Sequence, residues 1–371
     1  MSARPSAATR SATFFLDARF GQLSAWRRTL PVFNLALQGG GAHGAFTWGV
    51  LDRLLEEKRF RFQGLSGASA GAINAVVLAS GWLAGGPAGA REGLARLWRE
   101  VAAVSRLSPL RAAGLTQMAA DFAAQVLSPY QLNPFDVNPL RSILERLVDF
   151  DRLRQDRSLS LFISATNLRT GQGRIFRNPE LSSNVVLASA CLPQLHQAVE
   201  IGGEAYWDGG LTSNPPLLPM VEHCKVRDVL LIQINPLAAV ALPTSARQIR
   251  NRLAEIVFGR PLVSELETLA RSARLARSPL AWPRRANRRV ARHRLHLIDG
   301  SAELAQLDPN TRIDPDWPLL VRLRDRGRAA AEAWLCDRLG RPIGATAAEP
   351  GDQAGSPAST SPIASSRRSS A

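Results

Sequence analysis

Two glycine-rich turns, each set between an apolar run and a helical pattern, constrain this chain more than any other feature. The first, Gly39-Gly40-Gly41-Ala42-His43-Gly44, follows Val32, Phe33, Leu35, Ala36 and Leu37. The second, Gly67-Ala68-Ser69-Ala70-Gly71, follows Phe62, Leu65 and Ser66. Between them Phe46, Val50, Leu51, Leu54 and Leu55 recur at helical spacing from Gly44 to about Lys58. Residues 34 to 71 thus read as strand, turn, helix, strand, turn and helix, the opening of an α/β domain.

Both turns carry residues suited to chemistry. A Gly-Xaa-Ser-Xaa-Gly elbow between strand and helix holds its serine on a strained turn with the hydroxyl exposed. Gly67 and Gly71 leave room where a Cβ would meet neighbouring backbone. A triple glycine ahead of a helix can aim backbone N–H groups at a developing oxyanion. The spacing Gly39, Gly41 and Gly44 also satisfies a dinucleotide fingerprint. That alternative needs an acidic ribose ligand near the end of the second strand, and Phe60 to Ser66 offers none.

A serine hydroxyl needs a base to become a nucleophile. Of the five histidines, His43 lies inside the glycine turn, and His196 follows Leu192-Pro193-Gln194-Leu195 with no local signature. His223, His293 and His296 sit near charged ends of elements and read as structural. Asp208 stands after Tyr206 and Trp207 and before Gly209 and Gly210, a carboxylate on a turn shielded by aromatics. Desolvation there raises a carboxyl pKa and strengthens it as a proton acceptor. Alone, Asp-Gly-Gly is a common turn.

Further along, the elbow helix is expected from about Ala70 to Ser80, a loop around Gly85 to Gly89, and a helix from Arg91 to Ala103. Leu115, Met118, Phe122 and Val126 suggest an amphipathic helix that packs on the core or serves as a lid. A helix over Asn138 to Phe150, strands at Ser160 to Thr166 and Arg174 to Phe176, and a helix over Ser182 to Ser189 follow. Val226 to Ile234 reads as a strand buried on both faces, as in a parallel sheet. A helical segment from Thr244 to Ala276, a strand at Leu295 to Ile298 and a helix from Trp317 to Leu339 complete the pattern. The expected organisation is a flexible arm at 1–30, a catalytic domain at 31–340 whose helical C-terminal extension is 244–340, and a disordered tail at 341–371.

The net charge of +15 rests almost wholly on arginine, with Lys58 and Lys225 the only lysines. Such a balance favours anionic surfaces, phospholipid headgroups or nucleic acid, although a GC-rich genome produces the same bias. Arginines 284, 285, 288, 289, 292 and 294 form the densest patch, a solvated face or a membrane-orienting one. No nucleic-acid motif accompanies them, so peripheral contact with an anionic membrane is expected rather than nucleic-acid binding. Cys191, Cys224 and Cys336 have neither disulfide-framework nor zinc spacing, and they fit a cytoplasmic location, peripheral to a membrane at most. The uncharged stretch from Gln63 to Ala90 is divided by glycines and Pro87 and reads as strand, elbow and buried helix rather than a membrane span.

Gly39 to Gly44, Gly67 to Gly71 and Asp208-Gly209-Gly210, in that order, resemble the three signatures of the patatin-like phospholipases. Ser164-Ala165-Thr166, Ala188 to Pro193 and Asn214-Pro215-Pro216 are similar to the family as well. The resemblance implies a three-layer α/β/α fold with a mostly parallel sheet and a Ser-Asp dyad, Ser69 as nucleophile and Asp208 as base. It also implies an oxyanion hole from Gly39, Gly40, Gly41 and the following backbone of Ala42 and Gly44. Gly67, Gly71, Gly209 and Gly210 support the elbow and the base loop. The implied activity is hydrolysis of fatty-acyl esters of lipids through an acyl-enzyme, with no cofactor and no metal. Gln194 and His196 depart from the family's pattern after the proline and leave a histidine-assisted variant open. The alternatives are a lipid acyltransferase and a non-catalytic, arginine-rich membrane-binding protein.

Overall fold

The structure, a computed structural model, describes residues 32–106, 128–237, 242–277, 289–290, 292–313 and 316–339. The expected arm, the amphipathic helix around Leu115 to Val126, arginines 284, 285 and 288, and the C-terminal tail lie outside the described residues.

Eight strands form one sheet: β1 (Val32–Leu37), β2 (Arg61–Gly67), β3 (Ser160–Asn167), β4 (Gly173–Arg177), β5 (Val199–Ile201), β6 (Glu204–Asp208), β7 (Asp228–Gln233) and β8 (Arg294–Asp299). Strands β3, β2, β1, β7 and β8 run parallel in that order, and β4, β5 and β6 join antiparallel at the β3 side.

Side chains alternate across a strand, so each central strand feeds two cores. Phe33, Leu35 and Leu37 of β1, with Leu230 and Ile232 of β7, point to one side. There they meet helices α1 (Gly44–Glu56), α2 (Ala70–Arg106), α3 (Pro139–Leu147), α4 (Phe150–Gln155) and α5 (Ser183–Ser189). Ala36, Val229 and Leu231 point to the other, against α6 (Leu218–His223) and α7 (Ala246–Arg277). Burying each such aliphatic or aromatic side chain contributes roughly 1.5–3 kcal/mol before the entropy of ordering it. The result is the three-layer α/β/α arrangement with a mostly parallel sheet.

The last helix, α8 (Trp317–Leu339), belongs to the first of these layers. Gly49 of α1 and Gly327 of α8 let the two backbones meet, since a Cβ on either would overlap the carbonyl of Arg324 or Phe46. Arg328 of α8 also reaches Asp52 and Glu56 of α1.

Several elements differ from the sequence pattern in extent. The glycine loop after the elbow helix shrinks to a two-residue break at Gly85 and Gly86, and Gly86 takes φ 59°, ψ −145°, a region glycine alone enters readily. Pro87 then opens the next segment, where its missing N–H is not needed. The helix expected over Asn138 to Phe150 is two, because Val148 is extended and the Asp149 side chain accepts from Arg152 N at 2.9 Å, capping α4. Gln63 to Ala90 folds as β2, elbow and helix, and no helix among the described residues is long and apolar enough to cross a membrane.

Candidate active site

The glycine turn is stitched to the rest of the sheet before it reaches α1. Gln38, fully buried, accepts the N–H groups of Ile234 and Asn235 on its Oε1, each at 2.8 Å, tying the ends of β1 and β7 together. The next peptide is held on both sides: Gly39 N–H donates to Asn214 Oδ1 at 2.7 Å, and Gly39 C=O accepts from Asn235 Nδ2 at 2.6 Å. Gly40 is extended, and Gly41 turns left-handed at φ 60° into the 3-10 turn Gly41–His43.

The amides of this turn divide into used and unused. Gly39 N–H is taken by Asn214, and Gly44 N–H turns back onto Gly41 and Ala42 carbonyls. His43 N–H bonds Gly40 C=O at 3.3 Å. Among the described residues, the N–H groups of Gly40, Gly41 and Ala42 have no protein acceptor.

Ser69 sits where β2 turns into α2, at φ 54°. A non-glycine residue there costs on the order of 1–3 kcal/mol, which surrounding contacts must hold. Its N–H is gripped by Ser189, through the carbonyl at 3.0 Å and Oγ at 3.1 Å. Gly67 and Gly71 face each other across the elbow, and a Cβ on Gly71 would overlap the Leu37 carbonyl. The two turns touch directly: a Cβ on Gly39 would lie 2.5 Å from Ala68 O and 2.7 Å from Ser69 Cβ. Asn74, one turn into α2, donates to Gly44 C=O at 3.1 Å and accepts from Trp98 Nε1, fixing the two helix starts to each other.

Strand pairing brings Asp208 to the elbow. β4 takes one edge of β3, while β2 takes the other edge only as far as Ile163, opposite Gly67. Two residues later on that freed edge, Ala165 pairs with Asp208. Asp208 therefore continues the line of β2 just beyond the point where β2 bends into the elbow. Thr166 Oγ1 donates to Asp208 C=O at 2.8 Å, and Asp208 N–H donates to Cys191 C=O at 2.8 Å. Gly209 and Gly210 sit against the Ser164 carbonyl and the Phe258 ring.

The carboxylate is wholly buried. Oδ1 accepts from Gly210 N–H at 2.7 Å, whereas Oδ2 has no regular hydrogen-bond partner. Burial pushes its pKa from 3.8 up to about 7, and the Gly210 N–H and the Ser69 hydroxyl partly counter that rise. The Ser69 hydroxyl is thus near enough to favour the charged carboxylate, without the alignment of a regular hydrogen bond.

The histidines have other attachments. His43 Nε2 pairs with Thr311 Oγ1 at 2.8 Å, and burial beside Arg312 lowers its pKa to about 3. His196 is lowered by burial, with Asp136 as its charged neighbour. His296 pairs with Asp228 at 2.7 Å, His293 with Arg289 C=O, and His223 stacks on Phe162.

Sequence reasoning gave no role to Gln38, Asn74, Ser189, Asn214 and Asn235, which hold the turns in place. Nor did it mark Glu265, whose buried Oε2 accepts Leu217 N and Leu218 N at 2.6 and 2.8 Å. The available signal was amide and hydroxyl side chains next to strand ends and glycine turns, where a buried polar group needs a partner.

Among solved structures, VipD from Legionella pneumophila is similar to this chain at 16% identity and a TM-score of 0.41, over 82% of this chain and 67% of that one. No curated protein sequence matches. The family profile described as patatin-like phospholipase matches residues 35–221, which contain both glycine turns and Asp208. The chain belongs to the patatin-like phospholipases, a family of lipid acyl hydrolases.

Proposed function

We propose that the protein is a serine acyl hydrolase that cleaves fatty-acyl esters of lipids, in the manner of a phospholipase A or lysophospholipase, with Ser69 and Asp208 as a dyad. The observation that carries this reading is a strained serine beside a fully buried carboxylate that keeps one oxygen unpartnered. No histidine is needed between them, because a carboxylate with a pKa near 7 is a competent proton acceptor at neutral pH.

In the first step the Ser69 hydroxyl proton passes to Asp208 as Oγ bonds the ester carbonyl carbon. The carbonyl electron pair moves onto oxygen, and the amides of Gly40, Gly41 and Ala42 are the donors available to meet it. Collapse breaks the bond to the leaving alcohol or lysolipid, which takes the proton from Asp208. Water then attacks the acyl-enzyme with Asp208 again as base, releasing the fatty acid and restoring Ser69.

A fluorophosphonate probe tests the reading by labelling Ser69 in the wild type and nothing in Ser69→Ala. Ser69→Ala and Asp208→Asn are expected to lose on the order of 1000-fold or more in kcat on a soluble ester while keeping the wild-type circular dichroism spectrum. Near-full activity of Asp208→Asn together with inactivity of His196→Ala would overturn the dyad in favour of a triad.

A further inference from the structure

Helix α7 is apolar on its inward side after Pro261 and on an exposed side before it. Leu262, Glu265, Leu269 and Ala273 turn inward and are buried. Ahead of Pro261, Ile249, Leu253, Ile256 and Val257 recur at i, i+4, i+7 and i+8 and share one side of the helix. They are exposed at 52%, 61%, 48% and 39%. Large aliphatics scattered singly on a surface are ordinary, but a contiguous helical stripe of them marks a surface that binds something.

The charges beside the stripe identify its partner. Residues 246–261 carry four arginines against one glutamate. Arg247 is paired with Asp308 and Arg252 with Glu255, whereas Arg250 makes no ion pair among the described residues, and Arg260 reaches Glu267 only at 3.5 Å. Aliphatic side chains rimmed by arginine match the interface of an anionic bilayer, where acyl chains take the stripe and headgroup phosphates the guanidinium groups. A nucleic acid would use the arginines and leave the aliphatic stripe in water.

The stripe also borders a cleft next to the turn that follows Asp208. Ile256 and Val257 line an open cleft of about 650 Å³ together with Arg260 and the Leu211-Thr212-Ser213 segment that follows the base loop. One residue on, Phe258 packs its ring on Gly210, and its backbone C=O accepts from Asn214 Nδ2 at 3.0 Å, the same Asn214 that holds Gly39. A bilayer on this face would lie across α7 from Gly210, in the turn that follows Asp208.

We propose that the outward face of α7, Ile249, Leu253, Ile256 and Val257 flanked by Arg250 and Arg260, docks the protein on anionic phospholipid surfaces. The proposal rests on the lipid-hydrolase reading only for what docking delivers; the docking itself is read without catalysis. The full chain is floated with vesicles of phosphatidylglycerol and phosphatidylcholine and with vesicles of phosphatidylcholine alone, at low and high salt. Binding is expected to the anionic vesicles, to weaken with salt, and to fall roughly tenfold or more in Ile249→Glu/Leu253→Glu, where two aliphatic anchors become charged. Arg250→Glu/Arg260→Glu is expected to lose the preference for anionic lipid, and Leu253→Met to keep wild-type binding.

Activity on vesicle lipid relative to a soluble short-chain ester should fall with binding in the Ile249→Glu/Leu253→Glu variant. Equal flotation of wild type and that variant would overturn the docking face, as would equal binding to both kinds of vesicle. A change from dimer to monomer in that variant with vesicle binding untouched would make the stripe a contact between copies and also overturn it. Failure of the wild type to hydrolyse any ester would instead sink the hydrolase reading and leave the flotation result standing.

Discussion

An ionised Asp208 in a fully buried position works against folding, whatever it contributes to the proposed proton transfer. With its pKa raised from 3.8 to about 7, the unfolded chain ionises first as pH rises. The stability lost accumulates between those two values and is fully felt above the higher one, amounting to roughly 4 kcal/mol. Asp208→Asn should therefore raise the melting temperature clearly at pH 8 and hardly at pH 4, as calorimetry at the two pH values would read. With Asp208 as the proposed base, kcat/KM on a soluble ester should climb through a single ionisation near pH 7 and level off above it. Asn214 is predicted to act through Gly39. Asn214→Ala leaves Gly39 N–H without its acceptor and should cost about 1–3 kcal/mol of stability and roughly tenfold or more in kcat, with KM little changed. Ser69 stood out locally, as a serine between glycines at a strand-to-helix turn, whereas Asp208 stood out only through the family resemblance, since Asp-Gly-Gly alone is a common turn. The bracing roles of Asn214, marked only as part of a family-like Asn-Pro-Pro run, and of Asn235 were not legible, because they depend on Gly39, which lies 175 and 196 positions away in the chain.

Among elements, the ones with strong periodicity were readable and the ones that turn on a single contact were not. β7, α1 and α8 follow their apolar pattern closely, since each buries a full face. The β5–β6 hairpin went unrecognised although Gly202 and Gly203 join its strands with φ 60° and 79°, the conformation glycine supplies in two-residue hairpins. The break in α2 was over-read as a loop because composition marks where a helix is interrupted and not how briefly. That distinction can be measured. Gly85→Ala adds a Cβ in open space at negative φ and should change stability by less than about 1 kcal/mol. Gly71→Ala drives a Cβ into the Leu37 carbonyl at the elbow and should leave little folded protein, as thermal melts of the two variants would show.

Over the whole molecule, β8 and α8, which follow the family match, pack into the same sheet and core as the elements before them. β8 extends the parallel sheet beside β7, and Phe33 of the first strand packs edge-on against Trp334 of the last helix. The sequence marked both elements, but it could not reveal that α8 closes over α1 through Gly49 and Gly327, since neither glycine has a local reason to be there. A chain ending before residue 314 would expose the buried side of α1 and is expected to aggregate, with the soluble fraction as the readout. The two-sided hold on the Gly39 peptide has a consequence in time. A ribosome makes Ser69 and the glycine turn early, yet Asn214, Asn235 and the β7 partner of β1 emerge more than a hundred residues later. On the proposed dyad, a chain at that stage carries a serine and an unbraced turn that cannot yet attack an ester. The proposed lipid-degrading capacity is in this way withheld until β7 and Asn235 have been made.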